Sequence, residues 1–258
     1  MPHTTPSSVE ASTAASWAGD GQPGRSIAIH QPNFLPRLNT LGKIFAADVW
    51  VVLDDVQFAR RDYQHRARLA SLNDPTQTRW LTLPTHLASG RSTTIRDARV
   101  VQPDYVATRS YRMLRDHYGH SPRWSMVEHC LAPVWDELRR TDSLARVAEL
   151  STRAILNALG WRGRVLRSSA MPTRPGRSQR LLDLVQVAGG HQYLCGTGGI
   201  GYLDVGLFEA HGITVTRCSP APSRFWEHGR CLSSVHYLVK YGTTRLNHEF
   251  AVIRRQSE

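Results

Sequence analysis

His30-Gln31-Pro32-Asn33 closes one short apolar run, Ile27 to Ile29, and Asp54-Asp55-Val56-Gln57 closes the next, Val49 to Leu53. An imidazole titrates near neutrality, so His30 is suited to act as a general base or a phosphate ligand. Its competing use is to hydrogen-bond the loop backbone and fix the turn. A carboxylate in the same crevice could hold a substrate amine, contact a ribose hydroxyl or act as a base. Neighbouring residues of a strand point to opposite faces, so Asp54 and Asp55 reach one ligand together only if the strand has already ended. Otherwise one of them binds substrate while the other caps a helix or pairs with Arg60 or Arg61. The expectation is that His30, Asp54 and Asp55 are catalytic and that Gln31, Asn33, Gln57 and Arg66 bind substrate. His30, Gln31, Asp54, Asp55 and Gln57 should then line one cavity.

A third candidate element is Gly196-Thr197-Gly198-Gly199-Ile200-Gly201. Glycines let successive backbone N–H groups face one anion, as in phosphate-cradling loops. The spacing fits neither the Walker pattern nor a dinucleotide fingerprint opening a βαβ unit, and a tight connection before Tyr202-Leu203-Asp204 accounts for it equally well. Cys195 stands directly before the loop, where a thiol ending an apolar run is more simply packing than a nucleophile. No Gly-x-Ser-x-Gly elbow supports a serine hydrolase. Cys130, Cys195, Cys218 and Cys231 form no Cys-x-x-Cys pair, and no His-x-x-x-His or His-Glu-x-x-His occurs. No metal and no cofactor are therefore expected.

The formal net charge is +11, and thirty of the 32 basic residues are arginine, Lys43 and Lys240 being the exceptions. Such a bias is what a GC-rich genome produces, so the choice of arginine says little while the net charge says more. Arg60, Arg61, Arg66 and Arg68 surround a single acid, Asp62, and the stretch from Trp161 to Arg180 holds six arginines and no acid. Arg60, Arg61, Arg68, Arg164, Arg167, Arg174 and Arg177 are the expected contacts to an anionic partner such as a nucleotide, coenzyme A or RNA. A solvated basic surface is the equally weighted alternative. If RNA is bound, the two segments should form one basic face at the cavity mouth.

These residues need a scaffold, and the apolar periodicity supplies one. Strand, loop, the helical spacing of Leu38, Leu41, Ile44 and Phe45, then a second strand make a βαβ unit and hence a parallel sheet. Arg79 to Pro84 alternates as a strand, and Thr93 to Val101 is expected to be a strand or edge segment. Helices are expected over Tyr105 to Tyr118, Ser125 to Arg139 with a fresh start at Pro133, and Leu144 to Leu159 capped by Gly160. Strands follow at Arg164–Ser168 and Ile213–Arg217 and a short apolar run at Gln192–Cys195, with helices at Ser178–Ala188, Val205–His211 and Ser233–Tyr241, the last ended by Gly242. Trp50, Trp80, Trp124 and Trp135 fall at core spacing. The fold class is α/β, a parallel Rossmann-like sheet with a helix-rich middle subdomain at about 103–160. Residues 1–25, rich in Ser, Thr, Ala, Gly and Pro, are expected to form a disordered tail ahead of a single domain over 26–258. No apolar run approaches the roughly 20 residues that span a bilayer, and no basic-then-apolar leader is present. A cytoplasmic protein without membrane contact is expected.

Several blocks together resemble the WbqC-like family: His30-Gln31-Pro32-Asn33-Phe34-Leu35-Pro36, then Asp54-Asp55-Val56-Gln57-Phe58 with Tyr63-Gln64-His65-Arg66, and Trp80-Leu81-Thr82-Leu83-Pro84. Ser168-Ser169, Arg180-Leu181, Cys195 to Gly199 with Tyr202-Leu203-Asp204, and Leu232-Ser233-Ser234 extend the resemblance from about 27 to 242. It implies a small-molecule transferase of surface-polysaccharide or natural-product pathways, passing acyl or aminoacyl groups to amines. The sequence departs from that pattern at Pro36-Arg37-Leu38-Asn39, in place of proline-tryptophan-x-glycine. It departs again at Tyr63 and His65, in place of tryptophan and asparagine, and at His236, in place of aspartate. A looser similarity of architecture links the first βαβ unit to nucleotidyltransferase-like Rossmann domains, but their His-x-Gly-His signature is absent. The expected function is an acyl or aminoacyl transferase forming an amide or ester on a small molecule. Aminoacyl-tRNA is one candidate donor, as antibiotic biosynthesis is one candidate setting. The alternatives are an ATP-dependent ligase or nucleotidyltransferase using the same crevice, and a non-catalytic binding protein.

Overall fold

The protein is described by a computed structural model over residues 25–257. Its centre is a five-stranded, wholly parallel sheet of β1 (Arg25–His30), β2 (Val49–Val52), β7 (Arg164–Arg167), β8 (Gly190–Cys195) and β9 (Thr214–Arg217), in the order β7-β2-β1-β8-β9. The first crossover is α1 (Leu38–Ala46) between β1 and β2; α5 (Arg177–Val187) leads from β7 to β8, and α6 (Val205–Glu209) joins β8 to β9. Parallel neighbours demand such crossovers, because a tight turn can only reverse the chain.

Alternation along the strands builds two layers. Ala28, Trp50 and Val52 point into one core with α1, while Ile27, Ile29, Val49 and Val51 point into the other with Leu182 and Val185 of α5 and Phe208 of α6. Trp50 is fully buried, and a large side chain so placed contributes on the order of 2–3 kcal/mol. The first core also takes α2 (Pro103–Tyr118), α3 (Trp124–Arg140), α4 (Leu144–Ala158) and α7 (Ser234–Ser257). The helix-rich middle is thus continuous in packing with the sheet. Strands β3 (Arg66–Ala70) and β4 (Thr78–Thr82) form a separate antiparallel hairpin, and β5 (Thr85–His86) pairs with β6 (Arg99–Val100).

Several expectations need correction. Arg25 opens β1 instead of ending a tail, and the remainder of that tail, 1–24, lies outside the described residues. Pro133 starts no new helix: it sits inside α3 on the exposed face, where the carbonyl its missing N–H would have met can bond water. Thr93 to Val101 contributes only the two residues of β6 and a bridge from Thr94 to Gln57. Gly242 does break the last helix, with φ 76°, but a further helical segment follows to Ser257. Leu246, Phe250 and Ile253, one face of that segment, bury it. Trp80 is not core. It stands on the hairpin with 37% of its surface exposed.

Candidate functional site

The chain leaves β1 toward β2 on one side and returns through β8 on the other, so the strand order reverses between β1 and β8. At such a switch point the two connections diverge and leave a crevice beyond the carboxyl ends of the strands. A cavity of about 480 Å³ lies there, lined by His30, Arg37, Asn39, Thr40, Lys43, Gly196 to Gly199 and both thiols, Cys195 and Cys218. A second cavity of about 580 Å³, walled by Pro220, Pro222 and Trp226, shares Asn39 and Arg230 with it.

Each side chain is set by its element. His30 is the last residue of β1, and its Nε2 lies 3.0 Å from Thr40 Oγ1 on α1. Burial, followed by the Lys43 and Arg37 cations, holds its pKa well below the usual histidine value, so at neutral pH it is a free base. Lys43, one turn beyond Asn39, donates from Nζ to the Ile29 carbonyl at 3.0 Å. Burial lowers its pKa, against the pull of the Cys218 and Cys195 thiols. Burial raises the pKa of both thiols in turn, more than Lys43 lowers it. Cys195 is therefore a poor nucleophile, and its Sγ lies so close to Gly199 that an added Cβ there would approach it to 2.9 Å. Its role is packing against the loop.

The anion-binding capacity of this crevice resides in side chains and in the glycine loop. The Leu38 and Asn39 amides at the start of α1 already donate to Leu232 and Gly229 carbonyls at 3.2 and 3.0 Å. The position where a Rossmann pyrophosphate would rest is capped by the chain itself. Around Gly196, by contrast, Gly199 and Ile200 turn back onto the Gly196 carbonyl, while the Thr197 and Gly198 amides have no backbone acceptor among the described residues. Lys43, Arg37 and Arg230 line the same cavity as these amides and His30.

The expectation that His30, Gln31, Asp54, Asp55 and Gln57 line one cavity is not met. His30 and Gly196, Thr197, Gly198 and Gly199 line the β1–β8 cavity; the two aspartates do not. Asp54 ties the end of β2 to the end of β7, accepting from Ser169 N at 3.1 Å, Ser169 Oγ at 2.8 Å and Ser168 Oγ at 3.2 Å. Asp55 is bound by Ser168 Oγ and Arg180. The strand has ended, as sharing a ligand would require, but protein groups occupy both carboxylates. We expect Asp54→Ala to cost about 1–2 kcal/mol of stability, measured by urea unfolding, because it removes the acceptor of the Ser169 amide and hydroxyl that ties β2 to β7; a loss below about 0.5 kcal/mol would remove the structural assignment. Gln31 accepts from Gln64 at 2.8 Å, and Gln57 donates to the Arg91 carbonyl at 2.6 Å. Asn33 is buried against α4, its carbonyl accepting from Thr152 at 3.1 Å and its side-chain amide unpaired.

The arginines divide as well. Arg167 pairs with Glu149 at 2.7 Å and Arg174 with Asp183 at 2.5 Å, Arg177 covers the Tyr202 ring, and Arg164 is exposed on the edge strand β7, two strands from the cavity. Arg60, Arg61, Arg66 and Arg68 belong to the β3 side and enter no ion pair among the described residues. The cations that line the cavity are Arg37, Lys43 and Arg230, none of them expected from the sequence to contact a ligand. A signal for Lys43 existed: it is one of two lysines in a chain that otherwise uses arginine. A compact ammonium fits a buried slot that a planar guanidinium does not. Among the described residues no group of three His, Cys, Asp or Glu side chains is placed to hold a metal ion. Among the described residues no helix is long and apolar enough to cross a membrane.

A wholly parallel, doubly wound sheet with a polar crevice at its switch point defines a Rossmann-like α/β protein. Within that class the chain belongs to the WbqC-like protein family, which its residues 31–245 match. It is 26% identical over 192 residues to the uncharacterized protein Rv1507c of Mycobacterium tuberculosis (strain ATCC 25618 / H37Rv), an alignment covering 74% of this chain and 81% of that protein. No solved structure matches it.

Proposed function

We propose that the protein is a transferase that passes an activated acyl or aminoacyl group to the amine of a small molecule. It would act in specialised metabolism or glycan biosynthesis. The observation that carries this reading is a neutral imidazole in a cationic cavity that shares Asn39 and Arg230 with a second cavity of comparable size. A group transfer needs two substrates side by side, and holding both supplies much of the acceleration.

In this scheme the acceptor amine attacks the acyl carbon, the bond to the leaving group breaks, and the amide forms. His30 takes the proton that the attacking nitrogen loses and returns it to the leaving oxygen or sulfur as the acyl bond breaks, with Thr40 fixing its ring. The Thr197 and Gly198 amides stabilise the developing oxyanion, while Lys43, Arg37 and Arg230 balance the charge of an anionic donor. Because the donor arrives activated, no covalent enzyme intermediate is required. Asp54 and Asp55 take no part in the chemistry.

The test is a donor panel. Purified protein is incubated with acyl-coenzyme A, acyl adenylate or aminoacyl-tRNA and a set of amino sugars and amines, and products are read by mass spectrometry. An amide formed without ATP supports the reading. Product formed only from a free acid and ATP, with AMP or pyrophosphate released, replaces it with a ligase. Saturable binding without product from any pair leaves a binding protein.

A further inference from the structure

A ladder of aromatic rings and guanidinium groups runs from the cavity along the β3–β4 hairpin. Arg37, which lines the cavity, sits over the Tyr63 ring at 4.3 Å; Tyr63 lies 5.5 Å from Trp80; Arg66 and Arg68 lie over Trp80 at 4.2 and 5.6 Å. In the hairpin register Arg68 stands opposite Trp80 and Arg66 opposite Thr82, so both arginines and the indole rise from one face of the pleat. Like charges at such spacing repel, and among the described residues no carboxylate pairs with either arginine. The acid of this segment, Asp62, accepts from the Tyr63 amide instead. Arg66 donates to the Asp62 carbonyl at 3.1 Å and to the Arg61 carbonyl at 2.6 Å, drawing the turn that carries exposed Arg60 and Arg61 against the ladder.

We propose that this ladder is a docking surface for a single-stranded RNA end. Its bases would stack on Trp80 and Tyr63, and its phosphates would meet Arg60, Arg61, Arg66 and Arg68. Aromatic rings interleaved with arginines are how proteins hold unpaired nucleotides: every base has a π-face, and the cations follow the backbone. Two rings with three guanidinium groups in succession exceed what a single base requires, which favours a strand over a free nucleotide. A duplex keeps its bases stacked inside and cannot use the rings. The ladder meets the cavity at Arg37, so a strand lying on it can place its terminal nucleotide beside His30. The inference deepens the transfer reading by naming the donor's carrier, and it rests on that reading only for what the RNA carries.

Fluorescence anisotropy with a labelled single-stranded RNA ending in CCA, across a salt series, tests it. Trp80→Ala is expected to weaken binding about tenfold to a hundredfold, with Trp80→Phe restoring most of it. Arg66→Gln with Arg68→Gln should weaken it and reduce the salt slope by about 1.4, the effect of two lost phosphate contacts on a single strand. Arg164→Gln, which removes a charge on the edge strand β7 away from the ladder, should bind RNA like the parent protein. RNA binding that survives when no donor yields product upholds the inference and sinks the transfer reading. The inference is overturned by an unchanged dissociation constant for Trp80→Ala, by a duplex binding as tightly as the strand, or by AMP competing as well as the strand does. If the arginines merely shield Trp80, the double glutamine variant lowers the melting temperature and leaves the RNA affinity unchanged, which also overturns it.

Discussion

His30→Gln is expected to lower transfer turnover by about 10²–10⁴-fold, the usual worth of a positioned general base. Glutamine retains a group able to reach Thr40 Oγ1 but cannot accept a proton. Acceptor binding should therefore change far less than turnover. The pH profile carries a second, independent check. In the folded protein His30 has a pKa held well below the usual value, first by burial and then by Lys43 and Arg37. The base form then persists as pH falls through 6.5, and the acid limb of the rate profile should lie clearly below that pH. Lys43→Gln removes one of the cations, so the pKa of His30 rises and the acid limb moves up. Turnover within threefold of the parent for His30→Gln, or an acid limb at or above pH 6.5, would remove His30 from the mechanism.

The contrast between His30 and the two aspartates shows how far strand ends can be read from sequence. All three sit at carboxyl ends of parallel strands, and periodicity finds that much. Whether they face one ligand depends on the order of strands in the sheet, which apolar runs do not encode. β1 lies at the switch point, whereas β2 is paired on its far side with β7, and the Ser168-Ser169 pair at the end of β7 takes the Asp54 carboxylate. Ser168-Ser169 and Asp54-Asp55 lie more than a hundred residues apart, so nothing local announces that they meet. The same distance hides Arg230 and Cys218, which reach the cavity through the loop after β9.

Local signals did better where one element decides the outcome. The helices over 103–158, the glycine stops at Gly160 and Gly242 and the strand at β9 follow from spacing alone. Trp80 failed for a physical reason: in β4 it occupies the solvent face of an isolated two-stranded hairpin, and alternation cannot say which face has a partner. Two departures from the family pattern, Arg37 and Asn39, prove to line the cavity, and Tyr63 stacks on Arg37. Two of the positions where this sequence is unusual thus lie where a substrate would be distinguished, whereas His65 and His236 do not line the cavity. That makes Arg37→Trp and Asn39→Gly informative changes to make in any donor or acceptor screen.

Acid should destabilise the fold well above the range in which carboxylates titrate. His236 is 2% exposed at the start of α7, with its Nδ1 3.1 Å from the Ala70 carbonyl. Burial lowers its pKa to about 4, the Ala70 hydrogen bond opposing and Lys240, His117 and His228 assisting. His65 is also brought to about 4, by burial and then by Arg66 and Arg60, with its Nδ1 buried and unpaired. Both are neutral in the fold and, once unfolded, bind a proton near pH 6.5, so the unfolded chain gains protons first as pH drops. Their contribution to stability is whole above about pH 6.5 and lost progressively toward pH 4. At about 1.4 kcal/mol per unit this amounts to about 3 kcal/mol for His236 and less for the partly buried His65. Asp183, held near 2 by Arg174, titrates below that window and does not confuse it. Urea unfolding from pH 7.5 to 4.5 should show the loss, and His236→Asn should flatten it while costing stability at pH 7. A flat profile in the parent protein, or the same slope in the variant, would mean that these imidazoles are hydrated in the fold.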